Sequence, residues 1–362
     1  MTKILAVCFV LLVLLHAPMA AESRRHRHNH HNHGGDDDSN KRATHKLFVF
    51  GDDYADTGNG VSDPELGYKS RQWRPPFGMS DAAHAKQPSG RFSDGLVQPD
   101  YLAKIMGHRE SPPPYTYDDW ADGIDDAGLN FAVGGSVVLR TAATPKLGDQ
   151  VQQLRSLIRD DTVTRGDLNG SVALIAISGN DYSSATAETF EAMMDTVVDG
   201  IADAASRLLD MGVAKVLVNT LQPLGCTPWQ TRGFSNYTSC NGDGNAGCDR
   251  HNAALRDRLA GDGDVMLLDV NTIVMDLVAP RPGSALDQGR FEEELRLRPC
   301  CEATDPDAGY CGLDGGYSLC DHPEDYFFWD DAHLTQAGWR AVMQLLQGPI
   351  MSFLGISNLQ HF

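Results

Sequence analysis

From Lys46 onward, short apolar runs alternate with longer segments in which apolar residues recur every three or four positions. The runs cover residues 47–50, 129–133, 172–177, 216–218 and 265–270, each nearly all apolar and each bounded by Gly, Asp or Asn. Strands buried on both faces read this way, whereas a strand with one wet face alternates apolar and polar positions. Between the third and fourth runs, Met194, Val197, Ile201, Ala205 and Leu208 form one stripe, with Asp195, Asp199 and Asp203 off it. Residues 188–212 therefore read as an amphipathic helix. Thr335 is placed to cap a last helix whose inner face is Trp339, Val342, Met343 and Leu346. Strands alternating with helices predict an α/β domain around a mainly parallel sheet. In such sheets the functional site lies beyond the carboxyl ends of the strands.

The N-terminus breaks this pattern. Lys3 precedes an unbroken apolar run from Ile4 to Leu15, followed by Ala17, Ala20 and Ala21. That run is too short to span a bilayer, and with its small-residue end residues 1–21 read as a secretory signal peptide. Residues 22–44, "ESRRHRHNHHNHGGDDDSNKRAT", have no apolar periodicity and read as a disordered, solvated linker. An alternative use of the tract is loose transition-metal binding by His26, His28, His30, His31 and His33. Residues 45–362 are left as a single domain, with no internal repeat and no later segment apolar enough to be a transmembrane span.

Composition adds exclusions. Hydrophobic content of 41% and charged content of 22% are globular values, and the net charge of −19 argues against nucleic acid or an anionic membrane surface as partner. Beyond Cys8 there are seven cysteines, Cys226, Cys240, Cys248, Cys300, Cys301, Cys311 and Cys320, in Gly-, Asp- and Asn-rich stretches. Export favours disulfides there, with at least one thiol left over and the pairing open. Asn169 and Asn236 stand in glycosylation acceptor triplets.

The strand ends carry polar clusters: Gly51-Asp52-Asp53, Gly134-Gly135-Ser136, and Ser178-Gly179-Asn180-Asp181. Before the last helix stands "FFWDDAHLT", with Asp330 and His333. Singly, these have ordinary structural uses in tight turns, helix caps and core histidines. Together they hold what acyl transfer needs: a strand-end position for a nucleophile, a base oriented by a carboxylate, and hydrogen-bond donors for an oxyanion. The donors would be the backbone N–H groups of Asp53 and Gly134 and the side-chain amide of Asn180.

The chain resembles the plant GDSL esterase/lipase family of the SGNH hydrolase superfamily. The family's FGDSxxDxGN block corresponds to Phe50–Asn59, and "GRFSDG" (90–95), "NFAVGGS" (130–136), "SGND" (178–181), "PLGCTP" (223–228) and "WDDAH" (329–333) are similar to further family blocks, in order. The resemblance implies a three-layer αβα sandwich around a five-stranded, mainly parallel sheet. It also implies metal-free, cofactor-free hydrolysis or transfer of acyl groups from lipid, small-molecule or glycan esters. Carried over by position, Asp330 and His333 are the acid and base, and Gly134 and Asn180 the oxyanion donors. Position 53, the family's nucleophile Ser, is Asp, and Leu334 replaces the Pro usual after the His. No Ser codon becomes an Asp codon by a single base change.

A carboxylate at 53 has no proton for His333 to take, and its attack on a carboxylic ester would give a high-energy mixed anhydride. Its charge also favours imidazolium, which is no general base, and it competes for the oxyanion donors. Three expectations follow: a hydrolase that keeps activity through His333-activated water or another hydroxyl such as Ser136 or Ser178; a pseudoenzyme binding an acylated lipid or glycan; or a hydrolase in which Asp53 attacks a non-acyl centre.

Overall fold

A computed structural model describes residues 45–357, apart from 63, 118–122, 140–143, 284–289, 306–309 and 314–315. The expected signal peptide and the histidine-rich linker lie outside the described residues.

The five apolar runs form one parallel sheet. Its strands are β1 (Leu47–Gly51), β2 (Gly128–Asn130), β3 (Val172–Ala176), β4 (Lys215–Asn219) and β5 (Val265–Leu268), in spatial order β2-β1-β3-β4-β5. The helices are α1 (Gln98–Ile105), α2 (Leu147–Arg159), the short α3 (Arg165–Leu168), α4 (Ala187–Asp210), α5 (Pro228–Ser235), α6 (Gly242–Arg258), α7 (Val270–Val278) and α8 (Gln336–Leu354).

Both faces of the sheet are covered, because successive strand residues point to opposite sides. Leu47 and Val49 enter one core with Leu102 of α1, Val274 of α7 and Trp339 and Val342 of α8. Phe48 and Phe50 enter the other with Val151 of α2, Val197 and Ile201 of α4 and Leu255 of α6. The result is the expected three-layer αβα arrangement. Its sheet is continuously apolar because neither face meets water.

The element ends follow local chemistry. Residues 269 and 270 leave the predicted fifth strand because the Asp269 side chain accepts the Thr272 N–H and caps α7. The strand at 129–133 is assigned only to Asn130, whose side-chain amide turns to donate to Ala55 O and Thr57 Oγ1. The Phe131 and Val133 N–H groups still continue the ladder to Val49 and Gly51. Thr335 caps α8 by accepting the Gly338 N–H at 2.9 Å.

Disulfides Cys300–Cys320 and Cys301–Cys311 staple a small antiparallel pair, β6 (Cys301–Ala303) and β7 (Tyr317–Leu319), and Cys226–Cys240 closes the segment around α5. The buried Cys248 is the free thiol among the described residues. Cross-links of this loop size each stabilise by about 2–4 kcal/mol. The stapled pair also positions the site. Cys300 and Cys301 donate their N–H groups to Phe328 and Trp329, and Trp329 N–H donates to His333 O. The segment that delivers His333 is therefore tied to a cross-linked support.

Candidate active site

β1 ends at Gly51, whose φ of +146° and close approach to β3 leave no room for a side chain: a Cβ there would lie 2.0 Å from Ala176 O. Gln150 of α2 brackets this turn, accepting the Gly51 N–H and donating to Gly51 O, each at 2.8 Å. Asp52 is fully buried and accepts from the Ser178 N–H (2.7 Å), the Ser178 hydroxyl (2.9 Å) and the Asn180 amide (3.3 Å). It thus ties the end of β1 to the end of β3. Burial first, and the charge of Asp53 second, push Asp52 well above the ordinary carboxylate range.

Asp53 projects into the site. Its Oδ2 accepts from Asn180 Nδ2 at 2.6 Å and from the Gly135 N–H at 3.1 Å, and its Oδ1 stands 3.6 Å from His333 Nε2. The Gly134 N–H, expected to face an oxyanion, donates instead to the buried Asp56 carboxylate at 2.7 Å. Asp56 also accepts the Gly58, Asn59 and Gly60 N–H groups, so it clamps the turn after β1 to the turn after β2. The glycine donor that reaches Asp53 is Gly135, one position further on. Gly134 has its own steric role, because a Cβ there would lie 2.3 Å from the Phe92 ring.

His333 Nδ1 lies 2.7 Å and 2.9 Å from the two Asp330 oxygens, and Asp330 Oδ1 also accepts the Ala332 and His333 N–H groups. The imidazole stacks on Phe92 at 4.9 Å, with Tyr54 edge-on, and Tyr54 Oη donates to Ala332 O. Beyond Asp330 lies buried Arg71, whose guanidinium is 3.4 Å from Asp330 and 3.8 Å from Asp331 and packs over Phe92 and Tyr310. The charges form an alternating row: Asp53, His333, Asp330, Arg71.

This row sets the protonation states. Burial disfavours a charged His333, but Asp330 and then Asp53 outweigh it and raise the imidazole to about 10. Burial likewise opposes a charged Asp53, yet His333, Asn180 and Gly135 hold it down at about 2. Asp330 is lowered against burial by His333 and Arg71. At neutral pH the arrangement is carboxylate–imidazolium–carboxylate, so His333 has no lone pair at Nε2 with which to accept a proton.

The hydroxyls near the turn are engaged: Ser178 Oγ donates to Asp52 and Ser136 Oγ donates to Pro145 O at 2.6 Å. Asp330, Asp331 and His333 are the compact set of metal-type donors among the described residues, but Arg71 already faces both carboxylates. Asn169 and Asn236 are both exposed.

The sequence model of the family described as GDSL-like Lipase/Acylhydrolase matches residues 47–346. The chain belongs to this family. It is 35% identical over 329 residues to the Arabidopsis thaliana GDSL esterase/lipase At5g03600, covering 86% of this chain and 96% of that protein. A second Arabidopsis thaliana relative, GDSL esterase/lipase At3g09930, is also 35% identical, over 83% of this chain and 87% of its own length. The five-stranded parallel sheet between helical layers is the SGNH-hydrolase fold, and the lineage is that of acyl-ester hydrolases. Among the described residues, no helix of this GDSL-family chain is long and apolar enough to cross a membrane.

Several residues that organise the site were given no role of their own in the sequence, although Asp52 and Asp181 stand in its strand-end clusters. Gln150 and Asp52 carry a usable signal, since each is a polar residue at a position where the periodicity expects an apolar one or a strand expects to end. Asp181 is another: its carboxylate accepts the Val138 and Leu139 N–H groups, fixing the loop after Ser136. Arg71 lies near the end of a 3-10 helix (Pro64–Trp73) and Phe92 in an irregular segment, and in neither does a strand or α-helix periodicity speak of burial.

Proposed function

We propose that this protein is a secreted, glycosylated member of the acyl-ester hydrolase lineage in which serine-type ester cleavage is switched off by Asp53, and that it binds an acylated lipid, small ester or glycan without turning it over. The observation that carries this reading is the placement of the Asp53 carboxylate on Asn180 Nδ2 and the Gly135 N–H, with His333 across from it. These are the groups that would otherwise receive a developing oxyanion and a nucleophile's proton. One side chain therefore supplies the negative charge that a transition state would supply, and it holds the base protonated. In the functional assignment, Asp53 stands at the nucleophile position, Asp330 and His333 are the acid and base, and Asn180 and Gly135 are the oxyanion donors, with Gly134 supporting them through Asp56. The expected signal peptide at residues 1–21 and the exposed Asn169 and Asn236 support export and glycosylation.

A second reading is favoured by the ionised state of Asp53. A carboxylate attacks alkyl or phosphoryl centres, forming an ester or acyl phosphate as the leaving group departs, and water then cleaves that intermediate. Mass spectrometry after exposure to epoxides or alkyl halides tests it. An adduct on Asp53 supports this second reading, and an unmodified chain across a broad panel removes it.

The deciding experiment compares nitrophenyl-ester turnover by wild type, Asp53→Ser, and Asp53→Ser combined with His333→Ala. The expected result is no turnover above background for wild type, a gain for Asp53→Ser, and loss of that gain in the double variant. Robust wild-type turnover that survives Asp53→Ala and disappears in His333→Ala would overturn the proposal.

A further inference from the structure

The segment "PLGCTP" (223–228) and the Trp229 that follows it border the site at two points. Leu224 packs on the glycine before Asn180, since a Cβ at Gly179 would lie 3.3 Å from Leu224 Cδ1. Further on, the Trp229 N–H donates to Asp331 O at 2.8 Å, inside the turn that carries His333. The segment thus runs from the Asn180 donor to the histidine turn and ends on an indole.

That indole is left in water. Trp229 is 56% exposed, whereas Trp329 and Trp339 are buried. Trp229 stands in the first turn of α5, and helical side chains lean toward the N-terminus of their helix. The N-terminus of α5 abuts residue 331, so the indole leans toward the rim of the His333 turn. One helical turn later, the position whose side chain would cover it is Gly233, and a Cβ there would meet nothing within 4 Å. A large aromatic face therefore stays open beside the site. On the same rim the Asp331 carboxylate, 32% exposed and 3.8 Å from Arg71, offers a hydrogen-bond acceptor.

We propose that Trp229 is a specificity-determining residue of the ligand site and carries a pyranose ring of an acylated glycan, the C–H face of the sugar on the indole and a sugar hydroxyl donating to Asp331. The proposal rests on the reading of Asp53 and its neighbours as an ester-binding site, and it narrows the ligand to the glycan class. An alkyl chain gains from enclosure, because its stabilisation grows with the apolar area taken out of water. An exposed indole flanked by a carboxylate covers such a chain on one side only. A pyranose has an apolar face and a polar rim. It is matched by an electron-rich ring face for its C–H groups and an acceptor beside that face.

The test is calorimetric titration of the full protein with O-acetylated cellotetraose and with hexyl acetate, which has the ester but no sugar. Saturable binding of the glycan is expected, weakened at least about tenfold in Trp229→Ala and kept within about threefold in Trp229→Tyr. Gly233→Leu places a side chain over the indole at an exposed helical position, and it should weaken glycan binding comparably while leaving the thermal melting temperature unchanged or higher. Hexyl acetate should not distinguish wild type from Trp229→Ala. Glycan binding unchanged in folded Trp229→Ala or Gly233→Leu, equal weakening of both probes, or no saturable glycan binding overturns the proposal. Hydrolysis of either probe by wild type overturns the inactive-site reading instead. The same variants are then compared by KM, and a rise in KM for the glycan alone upholds the subsite.

Discussion

Two regions of this molecule build the same Asp-x-x-His turn in different surroundings. At residues 330–333 the aspartate accepts the N–H groups two and three residues on and lies 2.7 Å from the histidine Nδ1. At residues 81–84, Asp81 accepts the Ala83 and His84 N–H groups and lies 2.6 Å from His84 Nδ1. Even the far nitrogen meets a carboxylate in both: His333 Nε2 is 3.6 Å from Asp53, and His84 Nε2 is 3.4 Å from Glu110. The difference is water. The His333 and Asp53 side chains are 6% and 12% exposed, those of His84 and Glu110 30% and 44%. Solvent screens the second pair, while the first keeps most of its Coulomb energy and is bracketed by Arg71. A local turn thus fixes an imidazole's direction, and the surrounding chain fixes what that imidazole can do.

Removing the aspartate from each turn breaks the comparison most forcefully. Asp330→Ala leaves Arg71 and His333 buried without their shared anion, and a loss of about 3–5 kcal/mol in urea unfolding is expected. Asp81→Ala gives up hydrogen bonds at a half-exposed imidazole and is expected to cost about 1–2 kcal/mol. Equal losses would show that burial does not separate the two turns.

The alkaline limb of stability sharpens it next. His333 is raised to about 10, so its contribution is full below the ordinary imidazole value of about 6.5 and fades as pH climbs through 10. Asp53 is lowered to about 2, so its contribution is full above about 3.9 and fades as pH falls through 2. Stability from this pair is therefore greatest from about pH 4 to 6.5. Asp53→Asn is expected to cost about 1.5–3 kcal/mol within that window and to make the alkaline decline shallower. Denaturant midpoints across a pH series measure both, and a decline identical to wild type would show that Asp53 does not hold the imidazolium.

The smallest effect belongs to the screened pair. Glu110→Gln is expected to change stability by no more than about 0.5 kcal/mol, with the change vanishing in high salt. A salt-insensitive loss of several times that size would place His84 and Glu110 in a drier setting than their exposure indicates.

Much of the site was legible along the chain because strand ends announce themselves. Gly51-Asp52-Asp53, Gly134-Gly135 and Asn180 follow apolar runs, and a parallel sheet brings such ends to one edge. Which glycine N–H meets Asp53 was not legible, since adjacent N–H groups point in different directions and Asp56, far away in sequence, takes one of them. Arg71 and Phe92 were hidden for a related reason. Their burial comes from the disulfide-stapled region around Trp329 and from the turn at 330–333, and nothing near them in the chain encodes it.

The sequence by itself determined the alternation of strands and helices, the family blocks, the spacing that turns Asp330 toward His333, and the presence of a carboxylate at 53. These depend on residue type and on neighbours within a few positions. The charge of that carboxylate already pointed to an imidazolium and to competition for the oxyanion donors, but only the tertiary structure decided that Gly135 rather than Gly134 would join Asn180 on Asp53 and that Arg71 would close the row of charges. Those outcomes depend on distances of a few ångströms between groups far apart in the chain and on the exclusion of water around them, neither of which a linear pattern contains.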